Sequence, residues 1–217
     1  MAGRLGERNV RTVWHVFAAA RLKRLSMERR ALGNPDIILI EAQNMKIRKC
    51  EEGDIISTGS FYDRVVTWLD AHINYPKWIY RIYPSEESVR EMVRSNAQYI
   101  CVDDQQIIGA FVLTTDPQGN YSRGNWTCDL QEGEYLTIHA VAVEPELHGQ
   151  GLGSQIIRYC IDKARSEGYK ALRLDIVPTN MPARRLYEKN GFQYVGDVDL
   201  DRGIDDIPTW SLFELNL

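Results

Sequence analysis

The segment Val143-Glu144-Pro145-Glu146-Leu147-His148-Gly149-Gln150-Gly151-Leu152-Gly153 joins the end of an apolar run to the start of a helical one. A strand that stops, a glycine-rich turn and a new helix form a recurrent anion site. Glycine has no Cβ, so main-chain amides approach a ligand closely. Those amides, together with the positive end of the helix dipole, attract phosphate or pyrophosphate. The turn lacks the Lys-Ser/Thr pair of a P-loop, which argues against a triphosphate–Mg²⁺ site. Its glycines stand at 149, 151 and 153 rather than in G-x-G-x-x-G, which argues against a nicotinamide dinucleotide. A tight turn with ordinary helix capping is the plainer alternative.

Outward from this turn, strand-like and helical runs follow one another. The preceding strand, residues 134–143, is almost continuously apolar, as expected when both faces are covered. The following helix, residues 153–166, carries Ile156, Ile157, Cys160, Ile161 and Ala164 on one face, and Gly168 suits its C-terminal cap. Further strands are expected over 46–50, 98–102, 107–114, 171–177, 192–198 and 209–217, the last alternating apolar with polar residues. Further helices are expected over 54–71, 85–96 and 181–190. This order predicts an α/β (α+β) fold: a mixed sheet of six to seven strands with helices on both faces.

The chain has 217 residues, 44% apolar and 26% charged, which excludes collagenous, low-complexity and mostly disordered classes. A net charge of −4 argues against a whole-molecule nucleic-acid binder. The four cysteines, Cys50, Cys101, Cys128 and Cys160, form no C-x-x-C pair and read as reduced thiols. No apolar stretch in the N-terminal region approaches the roughly 20 residues of a membrane helix, and a cytoplasmic location is expected. Residues 1–44 carry eight Arg/Lys against four Asp/Glu, whereas 45–217 carry 18 against 26, so a domain boundary is placed just before Met45. The basic extension contains one helical candidate, residues 10–30. It reads either as a membrane-surface, nucleic-acid or partner-binding helix, or as a packed extension or translated sequence upstream of Met45.

A second constellation follows the strand 171–177: Asn180-Met181-Pro182-Ala183-Arg184-Arg185-Leu186-Tyr187-Glu188-Lys189-Asn190-Gly191-Phe192. Asn180 is a good N-cap, and Pro182 is tolerated in a first turn. Asn180 and Tyr187 are seven apart, two turns along one face, with Ala183 and Leu186 beside them. An amide and a phenol at one ligand is one reading; a cap and a packed tyrosine is the other.

Together these segments resemble the GNAT superfamily of N-acetyltransferases over about residues 45–217. The resemblance rests on the opening Met45-Lys46-Ile47-Arg48 strand, the hairpin with Ile107-Ile108-Gly109, the strand 138–143, the turn from His148 to Gly153, and N-x-x-A-x-x-L-Y-x-x-x-G-F. The family turn usually opens with Arg or Gln, and here His148 stands in that place. The resemblance implies an acetyl-CoA-dependent enzyme with a centrally splayed sheet. The pyrophosphate would sit on amides of His148, Gly149, Gln150, Gly151, Leu152 and Gly153. The pantetheine arm would pair with Val141, Ala142 and Val143, where a bulge parts two strands. Asn180 and Ala183 would border that arm, and Tyr187 would lie near the thioester sulfur.

The chemistry implied is direct attack of an amine on the thioester. An alkyl amine of pKa about 10 is mostly protonated at neutral pH, so a base must take a proton. His139 is the first candidate, with a reference pKa near 6.5, and Glu134 the second. A main-chain N–H near Val141 is the candidate oxyanion donor, and Tyr187 the candidate acid for the leaving thiolate. No metal is called for. The acceptor is read as a primary amine of a small molecule; a protein N-terminus or lysine is the main alternative, and a non-catalytic acyl-CoA-binding module the rival class. Seven aromatics fall between Phe61 and Tyr83, a stretch beside the acceptor cleft in the family, and the loop 199–208 with Asp205 and Asp206 also borders it there. Neither nucleic acid nor membrane is expected as a partner, and a homodimer is the family habit.

Overall fold

A computed structural model describes residues 45–217. The basic extension and its helical candidate over 10–30 lie outside the described residues. Seven strands form one sheet: β1 (Lys46–Lys49), β2 (Gln98–Asp103), β3 (Gln106–Thr114), β4 (Tyr135–Val143), β5 (Ala171–Ile176), β6 (Gln193–Val198) and β7 (Trp210–Asn216). Four helices accompany them: α1 (Ile55–Asp70), α2 (Glu86–Arg94), α3 (Leu152–Ser166) and α4 (Met181–Lys189). The strand order is β1-β2-β3-β4-β5-β7-β6, with β4 and β5 parallel and every other pair antiparallel.

Local chemistry sets the ends. Ser85 caps α2 by accepting from the Ser88 amide, while the Ser88 hydroxyl accepts from the Ser85 amide. The β2–β3 hairpin turns on Asp104 and Gln105, both at positive φ (44° and 68°), the backbone a two-residue hairpin demands. Gly168 and Gly191 lie just beyond α3 and α4 at φ of 81° and 93°, where a residue with a Cβ is strained.

The two sides of the sheet have separate cores. Tyr99, Cys101, Phe111, Ile138, Leu172 and Leu174 meet Ile156, Ile157 and Cys160 of α3. Ile100, Ala110 and Ala142 meet Phe61, Tyr62 and Val65 of α1 and Val89 of α2. The alternation of strand side chains is what separates Tyr99 and Cys101 from Ile100 between them. β7 departs from its sequence reading. Ser211 and Glu214, on opposite faces, are both buried: Ser211 donates to Asp197 of β6, and Glu214 is covered by Arg173 of β5 and by Thr127.

Candidate active site

β4 and β5 pair only from Tyr135–Ala171 to Ile138–Leu174. Beyond that point β4 stays with β3, and β5 stays with β7. Among the described residues, the edge of β4 from His139 onward therefore has no strand partner on the β5 side. The parting has a local cause. Between Val112–His139 and Ala110–Ala142 the register slips, so four β4 residues span what three do on β3. Ala140 takes φ of 49° there, and its carbonyl accepts a 2.8 Å hydrogen bond from the buried Tyr62 hydroxyl. The bulge also reverses parity. Before it, Leu136 and Ile138 face α3; after it, Val141 and Val143 do.

The β4 edge leads to the glycine turn. Pro145–Leu147 makes one 3₁₀ turn, Gly149 and Gly151 take φ of 77° and 84°, and α3 begins at Leu152. The Gln155 amide makes the first bond back, to the Gly151 carbonyl at 3.1 Å. Among the described residues, the amides of Leu152, Gly153 and Ser154 have no main-chain acceptor. Three outward amides on the positive end of a 15-residue helix suit a pyrophosphate. Space around Gly151 is open, so its glycine is required by φ rather than by crowding. Gly151→Ala is expected to cost roughly 1–2 kcal/mol for the left-handed backbone, read from urea unfolding; an unchanged midpoint would show that the turn tolerates a side chain. Gly153 serves packing instead, since a Cβ there would meet both Leu186 methyls at 3.3 Å.

His148 packs back onto the end of β4 and onto α1. Its Nε2 lies 3.2 Å from the Val143 carbonyl, and its ring meets the edge of Trp68, which is stacked on His72. Gln150 donates back to the Glu146 carbonyl. Asn180 caps α4, its Oδ1 accepting from the Ala183 amide at 3.2 Å, and Ala183 packs on the α3 core. Tyr187 is buried between Phe192 and Phe213. Burial, then the neighbouring Cys160 and Asp175, raise its pKa and keep it protonated.

At the parting of the strands stands a polar cluster. His139 is 8% exposed, and its Nε2 is the one buried side-chain N or O atom without a hydrogen-bond partner among the described residues. Its Nδ1 is 3.9 Å from Oδ1 of Asp175, on β5. Burial lowers the His139 pKa, the Asp175 charge opposes this, and the imidazole is neutral at pH 7. Asp175 is held from three directions: Arg202 donates to both its oxygens at 2.7 Å, and the Tyr121 hydroxyl donates to Oδ1 at 2.6 Å. Burial would raise the Asp175 pKa; the Arg202 guanidinium reverses that and holds it below the usual carboxylate range. Tyr83, though 41% exposed, lies within electrostatic reach of the same pair, and partial enclosure followed by the Asp175 charge raises its phenol pKa.

The structure thus sets Asp175 beside His139 and within electrostatic reach of Tyr187, and the β4 edge leads from His139 to the amide cradle. It does not bring Glu134 to this cluster. Glu134 precedes β4 at the opposite end of the strand, where it is ion-paired with Lys170 and bound to the Gln131 amide. Five residue steps of about 3.3 Å each separate it from His139, so it is removed as a base. Asp205 and Asp206 are exposed, and the residue of their loop that reaches the polar cluster is Arg202, bound to Asp175. The sequence reading missed Asp175, Arg202 and Tyr121. A carboxylate inside Leu172-Arg173-Leu174-Asp175-Ile176 was the available signal, because a buried charge in such a strand needs a partner. The aromatic stretch divides: Phe61 and Tyr62 are core, Trp68 meets His148, and Tyr83 meets the polar cluster. Among the described residues no group of three or more His, Cys, Asp or Glu is placed to hold a metal ion, and no helix is long and apolar enough to cross a membrane.

Comparison with known proteins agrees with this geometry. The chain is similar to a bovine thialysine N-epsilon-acetyltransferase, 26% identical over 151 residues that cover 68% of this chain and 83% of that protein. It is similar to the Escherichia coli K12 ribosomal protein bS18-alanine N-acetyltransferase, 36% identical over 56 residues, 26% of this chain and 38% of that one. The chain spans only 30% and 32% of the first two curated relatives it matches. Among solved structures, a putative acetyltransferase from Salmonella typhimurium with its cofactor acetyl-CoA superposes with a TM-score of 0.57, at 19% identity, over 80% of this chain and 94% of that one. The sequence model of the acetyltransferase (GNAT) family matches residues 56–192, well over half of the chain. With the splayed sheet and the amide cradle in place, the chain belongs to the GNAT acetyltransferase family.

Proposed function

We propose that this protein transfers the acetyl group of acetyl-CoA to a primary amine of a small molecule. The observation that carries the reading is the unpartnered β4 edge, which runs from His139 past the Ala140 bulge to the three free amides of α3. The amides take the pyrophosphate, and the β4 edge takes the amide groups of the pantetheine arm as a strand would. Val141, Ala142 and Val143 supply that edge, Asn180 and Ala183 border it, and a main-chain N–H near Val141 meets the thioester oxygen as charge develops. The amine nitrogen bonds to the carbonyl carbon and the C–S bond breaks. The amine's proton passes to Nε2 of His139, and Tyr187 donates a hydrogen bond to the departing sulfur. Nε2 is enclosed in this conformation, so admitting the amine, or a relaying water, displaces the groups covering it.

The small-amine reading is supported by the bovine relative, whose name specifies thialysine and which matches over most of both chains. A protein α-amine is the second reading, supported by the bS18-alanine relative over a shorter stretch. The test uses the full chain. Acetyl-CoA at 100 times its Kd should stabilise the fold by about 2.7 kcal/mol, whereas ATP and NADH should not. Release of free CoA thiol should then depend on an amine from a panel of thialysine, other diamines and alanine-terminated peptides. Absence of any acetyl-CoA shift would refute the proposal. His139→Ala should abolish the ionisation on the acidic side of the kcat/KM pH profile, and an unchanged acidic limb would remove His139 as base.

A further inference from the structure

The base assigned above does not stand alone. His139 is faced from β5 by Asp175, from the β6–β7 loop by Arg202, and from the segment after β3 by Asp116 and Tyr121. Tyr83 of the α1–α2 loop and Tyr187 of α4 approach Asp175 in turn. The Asp175 side chain is 4% exposed and that of Arg202 17%, so little water screens the group. A buried carboxylate fully ligated by Arg202 and Tyr121 has a fixed position, and the oxygen nearest His139 is the one that Tyr121 and Arg202 both hold. Arg202 is itself fixed: its Nε donates to the Gln118 carbonyl at 2.7 Å, and its guanidinium lies 4.4 Å from the Trp210 ring centre.

We infer that Asp175 is a positioning residue for this reaction, holding His139 with Nδ1 toward the carboxylate and steadying the imidazolium that forms when Nε2 takes the amine's proton. The inference rests on the reading of His139 as base. The neutral imidazole carries hydrogen on one nitrogen only; the Asp116 main chain hydrogen-bonds the ring, and the Asp175 carboxylate 3.9 Å from Nδ1 adds its charge in favour of hydrogen on that nitrogen. Nε2 is left with its lone pair, which matches its lack of any protein partner. When the amine's proton arrives at Nε2, Nδ1 keeps its hydrogen, the carboxylate stays ionised, and the new charge faces an existing opposite one. Arg202 partly cancels the carboxylate, so the loop that carries it tunes the strength of the base.

The two charges have opposite signs, and that separates an electrostatic role from a structural one. The His139 imidazole would be titrated by NMR in the full-length, isotope-labelled protein, a readout that needs no turnover. Asp175→Asn should lower the His139 pKa, and Arg202→Gln should raise it. The same Asp175→Asn protein should lose roughly 10- to 100-fold in kcat, part of the 10²–10⁴ that a general base supplies, with the acidic limb of kcat/KM displaced to lower pH and the KM for acetyl-CoA unchanged. Tyr121→Phe keeps every charge, removes one donor from Oδ1, and should raise the His139 pKa slightly; it serves if Asp175→Asn does not fold. A His139 titration unmoved by all three changes, or moved in one direction by both charge changes, overturns the inference. Opposed shifts in a protein that acetylates no amine would uphold the Asp175–His139 coupling and remove the transferase reading instead.

Discussion

Tyr187→Phe is expected to lower kcat by roughly 10- to 10⁴-fold, the range for groups that move or share a proton in the transition state. Acetyl-CoA affinity should change little, because the lost hydroxyl meets the sulfur only as the C–S bond breaks. The ring stays buried between Phe192 and Phe213, so the substitution leaves the packing intact. Burial has raised the phenol pKa, which keeps the hydroxyl protonated throughout the working range. A thiolate whose thiol has the ordinary pKa of about 8.5 is a weaker base than such a phenolate. The hydroxyl therefore steadies the departing sulfur by donating a hydrogen bond and does not itself ionise below the thiol's pKa. It follows that the loss should be the same on both sides of neutrality. Calorimetric binding of acetyl-CoA beside steady-state kinetics decides the matter; turnover within two-fold of the parent would end the assignment of Tyr187.

Arg173→Ala is expected to destabilise the fold by about 3–5 kcal/mol, the usual cost of breaking a buried ion pair from one side. The Arg173 and Glu214 side chains are 3% and 1% exposed and lie on the neighbouring strands β5 and β7. Nε of Arg173 donates to Glu214 at 2.9 Å, and Nη2 donates to the Cys128 carbonyl at 2.8 Å. Its guanidinium sits between the rings of Trp126 and Tyr135, 4.3 Å from each centre. The other Glu214 oxygen accepts from the Thr127 amide and hydroxyl. Alanine would leave a buried carboxylate with Thr127 alone and an emptied slot between two rings. For a domain whose whole stability is about 5–15 kcal/mol, that approaches unfolding. Arg173→Met combined with Glu214→Leu should recover most of the loss, because no charge is then stranded. Urea unfolding of the parent, the single and the double variants measures this. A double variant no better than the single would mean that ring stacking, not charge, holds the 126–128 segment to the sheet.

Much of the chain can be read from local pattern. The strand and helix limits expected from periodicity lie within one or two residues of the observed ones, because turn residues such as Asp104-Gln105, the Ser85 cap and Gly191 mark the ends locally. The glycine turn and the Asn180 cap were legible for the same reason: φ and capping depend on a few neighbouring residues. The remainder was not, and each miss has a physical reason. Glu134 and His139 share one apolar run in the sequence, and only the structure shows Glu134 paired with Lys170 just before β4 while His139 stands where β4 and β5 part. Glu214 of β7 is buried only because the arginine of β5 and the 126–128 segment close over it, which no local pattern shows.

What the sequence by itself determined is the order of elements, the apolar strand and the glycine-rich turn that follows it, since these arise from residue spacing and backbone freedom within a dozen positions. What only the tertiary structure decided is the company His139 keeps. Asp175, Arg202 and Tyr121 lie 36, 63 and 18 positions from it along the chain. They meet because two parallel strands part at a bulge and three loops converge on the opening. A charge buried there is set by its spatial neighbours, at distances of about 3–4 Å, where electrostatic interaction in a poorly screened interior outweighs any preference that a local stretch of sequence can express.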